Sequence, residues 1–257
     1  MIAVQGFVQT ATGPCRDSVA AQIELYDDDG APNVPWAMPL KMLQLELGQA
    51  ESANAHVALG ANAVLLRGLA CERARDLIDA ISAIAKVSPF RHMTTPGGWE
   101  MSVAMTNCGT AGWVTDRSGY RYDPIDPDTG RPWPALPSVF AELAAKAAEQ
   151  AGFADFAPDV CLINRYSPGT RLSLHQDRDE RDFSQPIVSV SLGLPAVFLW
   201  GGKKRTERPT RVALSHGDVV VWGRSDRLNF HGVSPVRDGH HPLTGAYRHN
   251  LTFRKAT

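Results

Sequence analysis

The sequence feature that most constrains the fold of this chain is a series of short apolar segments after residue 158, with no helical pattern between them. Turn-forming pairs separate the segments, among them Pro168-Gly169 and Gly201-Gly202. We predict strands at 161–166, 171–176, 187–192, 197–200, 210–214, 218–222, 228–233 and 247–254. Many short strands without intervening helices favour a β-sandwich or a jelly roll.

The helical patterns lie before this strand-rich region. Leu77, Ile81 and Ile84 recur at helical spacing and predict a helix over 71–87, which Ser88-Pro89 ends. An Ala-, Glu- and Leu-rich segment predicts a second helix over 138–150. Residues 57–69 alternate apolar with small residues and predict one strand. The fold class that follows is α+β and mainly β, with helices N-terminal to the strands.

Residues 1–41 differ from the rest of the chain. They contain an acidic run, 27–30, and a proline-rich stretch, 32–39. Their apolar residues follow neither a helical nor a strand period over any length. We predict a disordered extension, or a start codon placed upstream of a true start at Met42. The alternative is an added strand or helix that packs on the body. Residues 42–257 are then a single domain, long enough to form a substantial core.

Composition limits the classes of partner. The net charge of the 257-residue chain is −1, so any contact with nucleic acid depends on a local basic patch. No apolar run approaches the length that spans a bilayer, and the first residues do not resemble a signal peptide. The four cysteines are scattered without a Cys-x-x-Cys pair, which fits a reducing cytoplasm. We expect a cytoplasmic monomer that does not associate with membranes.

Three residues suggest a metal centre. His175 and Asp177 are two positions apart at the end of a predicted strand, and side chains two residues apart along a strand point the same way. His231 lies in a later predicted strand. Two imidazoles and one carboxylate on one face of an ion leave the other positions open, as in non-haem Fe(II) oxygenases. The pattern His-x-Asp alone is weak, because it is common by chance.

The predicted last strand carries a polar face. A two-residue period places Arg248, Asn250 and Arg254 together, and two buried arginines would need anionic partners such as a dicarboxylate. Asn164 and Tyr166 share a face of another predicted strand. Taken alone, the arginines fit a solvated outer face better than a buried one, and Tyr166 fits ordinary core packing.

Together, these motifs and several longer strings resemble the AlkB family of Fe(II)- and 2-oxoglutarate-dependent dioxygenases. The resemblance covers about 42–254 and leaves out the first 41 residues. The strings that carry it are SPFRHMTTPGG (88–98), MSVAMTNCG (101–109), CLINRYSPG (161–169), LSLHQD (172–177), PIVSVSLGLPA (186–196) and HGDVVVWG (216–223).

The resemblance implies a double-stranded β-helix, or jelly-roll, core at about 158–254. It implies Fe(II) bound by His175, Asp177 and His231, with O2 and 2-oxoglutarate as co-substrates. The residues implied for 2-oxoglutarate are Asn164, Tyr166, Arg248, Asn250 and Arg254. The implied reaction is oxidative demethylation of 1-methyladenine and 3-methylcytosine in single- or double-stranded DNA, with RNA left open. It releases formaldehyde and repairs alkylation damage directly.

The resemblance also implies a nucleotide-recognition lid at about 94–122. Trp113 in this lid would stack on the damaged base, and the nearby Asp179, outside the lid range, would contact the exocyclic amine of that base. The remaining implied substrate residues are Tyr120, Tyr122 and Arg205 for the sugar–phosphate backbone and Met105 for the pocket wall. Cationic methylated bases favour aromatic faces. Without the resemblance, packing within a hairpin is the preferred interpretation of these aromatics.

Two other functions are compatible with the same motifs. One is a 2-oxoglutarate oxygenase that acts on another N-methylated target, such as RNA or a protein side chain. The other is a non-catalytic module that senses iron or 2-oxoglutarate. Succinate production separates an enzyme from a sensor, and substrate choice separates the two enzymes.

Overall fold

The computed structural model describes residues 56–257. In this range the helices are α1 (Ala74–Val87) and α2 (Ser138–Gln150). The strands are β1 (His56–Gly60), β2 (Ala63–Leu66), β3 (Arg91–Thr94), β4 (Glu100–Gly109), β5 (Gly112–Asp116), β6 (Gly119–Asp123), β7 (Ile125–Asp126), β8 (Arg131–Pro132), β9 (Val160–Tyr166), β10 (Leu172–His175), β11 (Ile187–Gly193), β12 (Ala196–Trp200), β13 (Thr210–Leu214), β14 (Val219–Trp222), β15 (His231–Val233) and β16 (Arg248–Arg254).

Two antiparallel sheets make the core. The larger has eight strands in the order β1-β2-β14-β11-β16-β9-β4-β3, and the smaller has four in the order β10-β15-β12-β13. The predicted mainly-β jelly roll is therefore confirmed. Most strand boundaries lie within one or two residues of the predicted ones, because the two-residue period and the turn residues mark them locally.

One apolar cluster fills the space between the two sheets. Leu162, Ile187 and Trp222 of the larger sheet pack there with Phe198 and Val233 of the smaller sheet. Each of these side chains points inward because strands with one face toward a partner layer bury alternate residues. Any functional side chain between the two sheets must therefore lie on an inner face, such as that of the larger sheet.

A second cluster lies between the larger sheet and the two helices. Leu77, Ile81 and Ile84 of α1 are buried, as their spacing predicts, and α2 contributes Phe140 and Leu143. Helix α2 spans the predicted residues, beginning after Pro137 and ending just before Gly152. No helix between residues 56 and 257 is long and apolar enough to cross a membrane.

The predicted strand over 57–69 is wrong in one respect, because it is a hairpin. The chain turns between Gly60 and Ala63, and β1 pairs with β2. Asp226 stabilises this turn by accepting a hydrogen bond from the backbone N–H of Asn62 at 2.6 Å. A side chain at position 60 would place its Cβ 2.5 Å from the Asp226 carboxylate, so glycine fits there. This tertiary contact has no local sequence signal.

The range predicted as a lid contains two different structures. Residues Glu100–Gly109 form β4 within the larger sheet, where β4 pairs with β9. The hairpin of β5 and β6 stands outside both sheets. Trp113 lies directly opposite Tyr122 in this hairpin, and Thr115 lies opposite Tyr120. The hairpin therefore lies outside the core sheets, whereas β4 belongs to one of them.

Candidate active site

Pairing of β10 with β15 brings the two candidate imidazoles together. His175 and His231 are direct cross-strand partners, and their ring centroids are 4.4 Å apart. Side chains opposite each other on antiparallel strands emerge on the same face. His175 Nδ1 lies 2.9 Å from the Ser173 carbonyl, and His231 Nδ1 lies 3.0 Å from the Asn229 carbonyl. Each pairing requires a proton on Nδ1, which leaves the Nε2 lone pair free.

Asp177 completes the group, although the reason differs from the predicted one. Strand β10 ends at His175, so Asp177 lies in the following loop and not on the strand. Its Oδ1 lies 3.6 Å from His175 Nε2 and 3.8 Å from His231 Nε2. One ligand atom from each of the three residues lies within 4.8 Å of the others, a set that can hold a metal ion.

Arg254 holds the far side of this carboxylate. Its Nε and Nη2 donate to Asp177 Oδ2 at 3.0 and 2.6 Å. Burial opposes ionisation of Asp177, but Arg254, together with the neighbouring His231 and His175, outweighs burial and holds the pKa of Asp177 below its usual range. The carboxylate is therefore ionised at neutral pH, with Oδ1 directed to the imidazoles.

His231 is kept neutral, as a metal ligand must be. Burial lowers the pKa of His231, and the neighbouring His175 lowers it further, to about 4, although Asp177 and the Asn229 carbonyl oppose the shift. A neutral imidazole and an ionised carboxylate are the protonation states that bind a divalent cation. Asp177 and His231 thus have the protonation states that a divalent cation requires.

A small cavity beside the triad is lined by the polar face of β16 and its neighbour β9. Arg248 lies opposite Tyr166, and Asn250 lies opposite Asn164. The predicted set of Asn164, Tyr166, Arg248, Asn250 and Arg254 lines this cavity together with Met105, Leu172 and Trp222. The predicted polar inner face of the last strand is therefore what the structure contains.

Arg248 is an uncompensated buried cation. It is 1% exposed, its guanidinium lies 4.8 Å from the Tyr166 ring centroid, and its Nη2 donates to Ser191 Oγ at 3.0 Å. Its Nε and Nη1 have no hydrogen-bond partner among residues 56–257, and neither has Asn164 Oδ1. Buried donors of this kind need an acceptor. A carboxylate of 2-oxoglutarate would accept from both unpaired Arg248 donors, so Arg248 fits that co-substrate.

The hairpin outside the sheets covers the loop that carries Asp177. Trp113 stacks on Tyr120 with ring centroids 5.7 Å apart, and the Trp113 indole N–H donates to Asp179 Oδ2 at 2.7 Å. Tyr122 OH donates to Glu180 at 2.6 Å. Asp179 therefore accepts from the indole in this structure, and its contact with a base amine stays a prediction.

The other predicted substrate residues are placed as follows. Met105 is buried in β4 and lines the cavity. Arg205 is exposed in the segment between β12 and β13, far in sequence from the hairpin. Sequence reasoning missed Glu180 and Arg227, which are both buried beside Asp177. Their burial depends on tertiary pairing, so no local pattern marks them.

Comparisons with known proteins agree with this geometry. The 2OG-Fe(II) oxygenase superfamily matches residues 62–254. The α-ketoglutarate-dependent dioxygenase AlkB of Escherichia coli K12 is 59% identical over 198 residues, which cover 77% of this chain and 92% of that protein. The mouse nucleic acid dioxygenase ALKBH1 is 36% identical over 124 residues, covering 48% of this chain and 32% of that protein.

A solved structure extends the comparison to the fold. The structure of OsALKBH1 has a TM-score of 0.69 and 30% sequence identity, and the match covers 78% of this chain and all of that one. The chain therefore belongs to the AlkB family of the 2OG-Fe(II) oxygenase superfamily. It is an Fe(II)- and 2-oxoglutarate-dependent dioxygenase, with O2 as the second co-substrate.

Proposed function

We propose that this dioxygenase demethylates N-alkylated bases, 1-methyladenine and 3-methylcytosine, in single- or double-stranded DNA, and so reverses alkylation damage. The observation that carries the proposal is the pair of Trp113 and Tyr120 stacked beside Asp179, next to the candidate metal centre. Aromatic faces and a carboxylate attract a cationic methylated base more than a neutral one. The similarity to relatives named AlkB and nucleic acid dioxygenase supports the same substrate class.

We assign His175, Asp177 and His231 as the iron ligands. When bound, iron and 2-oxoglutarate supply oxidation: O2 gives one oxygen to succinate, formed with CO2, and one to the N-methyl group, which leaves as formaldehyde. Trp222, Phe198 and Leu172 exclude water from this side of the cavity, since all three line it. Exclusion of water prevents side reactions and strengthens the electrostatic interactions that orient the reactants.

The two buried arginines have different roles in binding the co-substrate and in orienting the iron ligands. Arg248 has unpaired donors, and we assign it to the distal carboxylate of 2-oxoglutarate, with Asn164, Tyr166 and Asn250 as the polar wall. Arg254 already donates to Asp177, so its first role is to orient an iron ligand. It also lines the cavity, where it can contact the co-substrate. The two arginines are given different roles because Nε and Nη2 of Arg254 are paired with Asp177, whereas two donors of Arg248 have no partner among residues 56–257.

The substrate side is the hairpin of β5 and β6. A groove of about 440 Å³ runs along it and is lined by Tyr120, Tyr122, Arg121, Asp179 and Arg181. We propose that this groove receives the nucleotide strand next to the extruded base, with Tyr120, Tyr122 and the exposed Arg205 near the sugar–phosphate backbone. Extrusion costs a few kcal/mol, and less for a damaged base that pairs poorly.

The test is a demethylation assay with Fe(II), 2-oxoglutarate and a single-stranded oligonucleotide that contains one 1-methyladenine or 3-methylcytosine. We expect a mass loss of one methyl group that depends on both iron and 2-oxoglutarate. Matched RNA and duplex substrates compare the alternatives. Succinate without demethylation of any oligonucleotide would refute the proposed substrate and favour another N-methylated target. Metal binding with neither product would favour a sensor.

Oligomeric state and location stay predictions. Size-exclusion chromatography with light scattering tests the predicted monomer, for which a mass near 27.9 kDa is expected.

A further inference from the structure

Two buried charged residues outside the triad belong to or contact the loop that carries Asp177: Glu180 lies within this loop, and Arg227 packs against it. Arg227 is 2% exposed and Glu180 is 6% exposed. Charged side chains are seldom this buried unless they are paired. Arg227 Nη2 donates to Glu180 Oε2 at 2.9 Å, so the two form an ion pair inside the protein.

Arg227 fixes the backbone of this loop. Its Nη1 donates to the main-chain carbonyl of Asp177 at 2.8 Å, and its Nε donates to the carbonyl of Gln185 at 3.1 Å. The ring of Phe183 covers the guanidinium, with its centroid 5.3 Å away. Residues 176–186 contain neither helix nor strand. The three donors of one guanidinium therefore hold both ends of the loop, where no regular hydrogen-bond ladder does so.

Glu180 contacts the guanidinium of Arg254, which holds the Asp177 carboxylate. Its Oε1 lies 3.2 Å from Arg254 Nε and accepts a hydrogen bond from Tyr122 OH at 2.6 Å. Arg254 in turn donates two hydrogen bonds to Asp177. Glu180 thus connects the hairpin that covers the site to the cation that orients Asp177.

The charges of this cluster balance. Arg227 and Arg254 contribute two positive charges, and Asp177 and Glu180 contribute two negative charges, all of them buried. Neutralising Glu180 leaves one excess positive charge close to the triad, which repels a divalent cation. Replacing Arg227 by lysine keeps the charge but loses the planar fork that reaches three acceptors. The two changes therefore separate electrostatic repulsion from loss of positioning.

We propose that Arg227 and Glu180 are positioning residues of the metal centre, which hold the backbone of Asp177 and the guanidinium of Arg254 so that the Asp177 carboxylate keeps one orientation toward the imidazoles. This inference rests on the metal centre proposed above. Neither residue needs to touch the metal, because groups that orient metal ligands affect affinity through those ligands.

The experiment measures Mn(II) affinity of the full-length protein by isothermal titration calorimetry, with 2-oxoglutarate and without nucleic acid. We expect Glu180→Gln and Arg227→Lys each to raise the Mn(II) dissociation constant by about 10- to 100-fold. The matched control is Asp126→Asn. Asp126 is fully buried and pairs with Arg91, so its neutralisation also breaks a buried ion pair, but one outside the triad's contacts. We expect the control to lower the unfolding temperature and to leave Mn(II) affinity within twofold of wild type.

Wild-type Mn(II) affinity in both folded variants would overturn the proposal. If Glu180→Gln does not fold, Tyr122→Phe removes only the hydroxyl that bonds Glu180, and we expect it to raise the dissociation constant severalfold. Unchanged affinity in that variant and in Arg227→Lys would also overturn it. Asp177→Ala separates failure of the proposed metal centre from failure of the proposed positioning role. Mn(II) binding retained by this variant would refute the metal centre itself.

Discussion

Replacing Arg248 by methionine should weaken the stabilisation of the protein by 2-oxoglutarate without destabilising the free protein. Arg248 is 1% exposed, and its Nε and Nη1 lack partners among residues 56–257. Burial lowers the pKa of Arg248, against the opposing effect of Tyr166, because the charged form is poorly solvated there. An uncompensated buried charge is costly, and an apolar side chain of similar length relieves that cost.

The size of the effect follows from the loss of one buried charge pair. Removing one member of such a pair costs about 2–5 kcal/mol. A cost of 2 kcal/mol raises the dissociation constant for 2-oxoglutarate by about 30-fold. At a concentration 100 times the wild-type dissociation constant, binding adds about 2.7 kcal/mol to the free energy of unfolding, and about 0.9 kcal/mol after a 30-fold loss. For a domain of this size, the ligand-induced rise in unfolding temperature falls from about 5–11 °C to about 2–4 °C.

The assay is differential scanning calorimetry with Mn(II), with and without 2-oxoglutarate. The control is Arg165→Met, because Arg165 lies in β9 with its guanidinium 4.4 Å from the Phe90 ring and does not line the cavity. We expect the control to keep the full ligand-induced shift. If Arg248→Met kept the full shift too, the unpaired donors would have no part in binding 2-oxoglutarate, and the assignment of the cavity would be wrong.

Four further variants test other parts of the structure. Asp177→Ala should abolish Mn(II) binding, measured by calorimetry, and demethylation, measured by mass loss. Arg254→Ala should raise both the Mn(II) dissociation constant, by about 10- to 100-fold, and the KM for 2-oxoglutarate; an unchanged KM would show that Arg254 does not contact the co-substrate. Trp113→Ala should weaken binding of methylated oligonucleotides, measured by fluorescence anisotropy, and spare Mn(II) affinity. Burial, aided by two nearby arginines, lowers the pKa of His249 from 6.5 to about 4. Unfolding therefore takes up a proton in this window, and wild-type stability falls as pH falls from 6.5 toward 4. In urea unfolding, His249→Gln should make this fall shallower, and an equal fall in both proteins would contradict the shift.

Periodicity predicted the elements of this fold but not their partners. Helix α2 matches its predicted span because alanine-rich helical spacing and a following glycine are local signals. The same kind of reasoning merged β1 and β2 into one strand, because their turn is held by Asp226, 164 residues away from Asn62. The range predicted as a lid includes β4, whose pairing with β9 in the larger sheet is not encoded in its own pattern.

In the candidate site, too, the types of the ligand residues could be predicted from the sequence, but the way in which the fold places them could not. The predicted spacing argument for His175 and Asp177 required one strand, yet β10 ends at His175 and Asp177 follows in a loop. The carboxylate still meets the imidazoles because Arg254, 77 residues later, and Arg227, 50 residues later, hold its side chain and its backbone. His231 joins because it pairs across the sheet with His175. A pattern of ligands can therefore predict the chemistry of a site, whereas its geometry depends on distant charged residues that the pattern does not contain. For that reason, variants of Arg227 and Glu180 examine the origin of this metal centre more directly than variants of the ligands themselves.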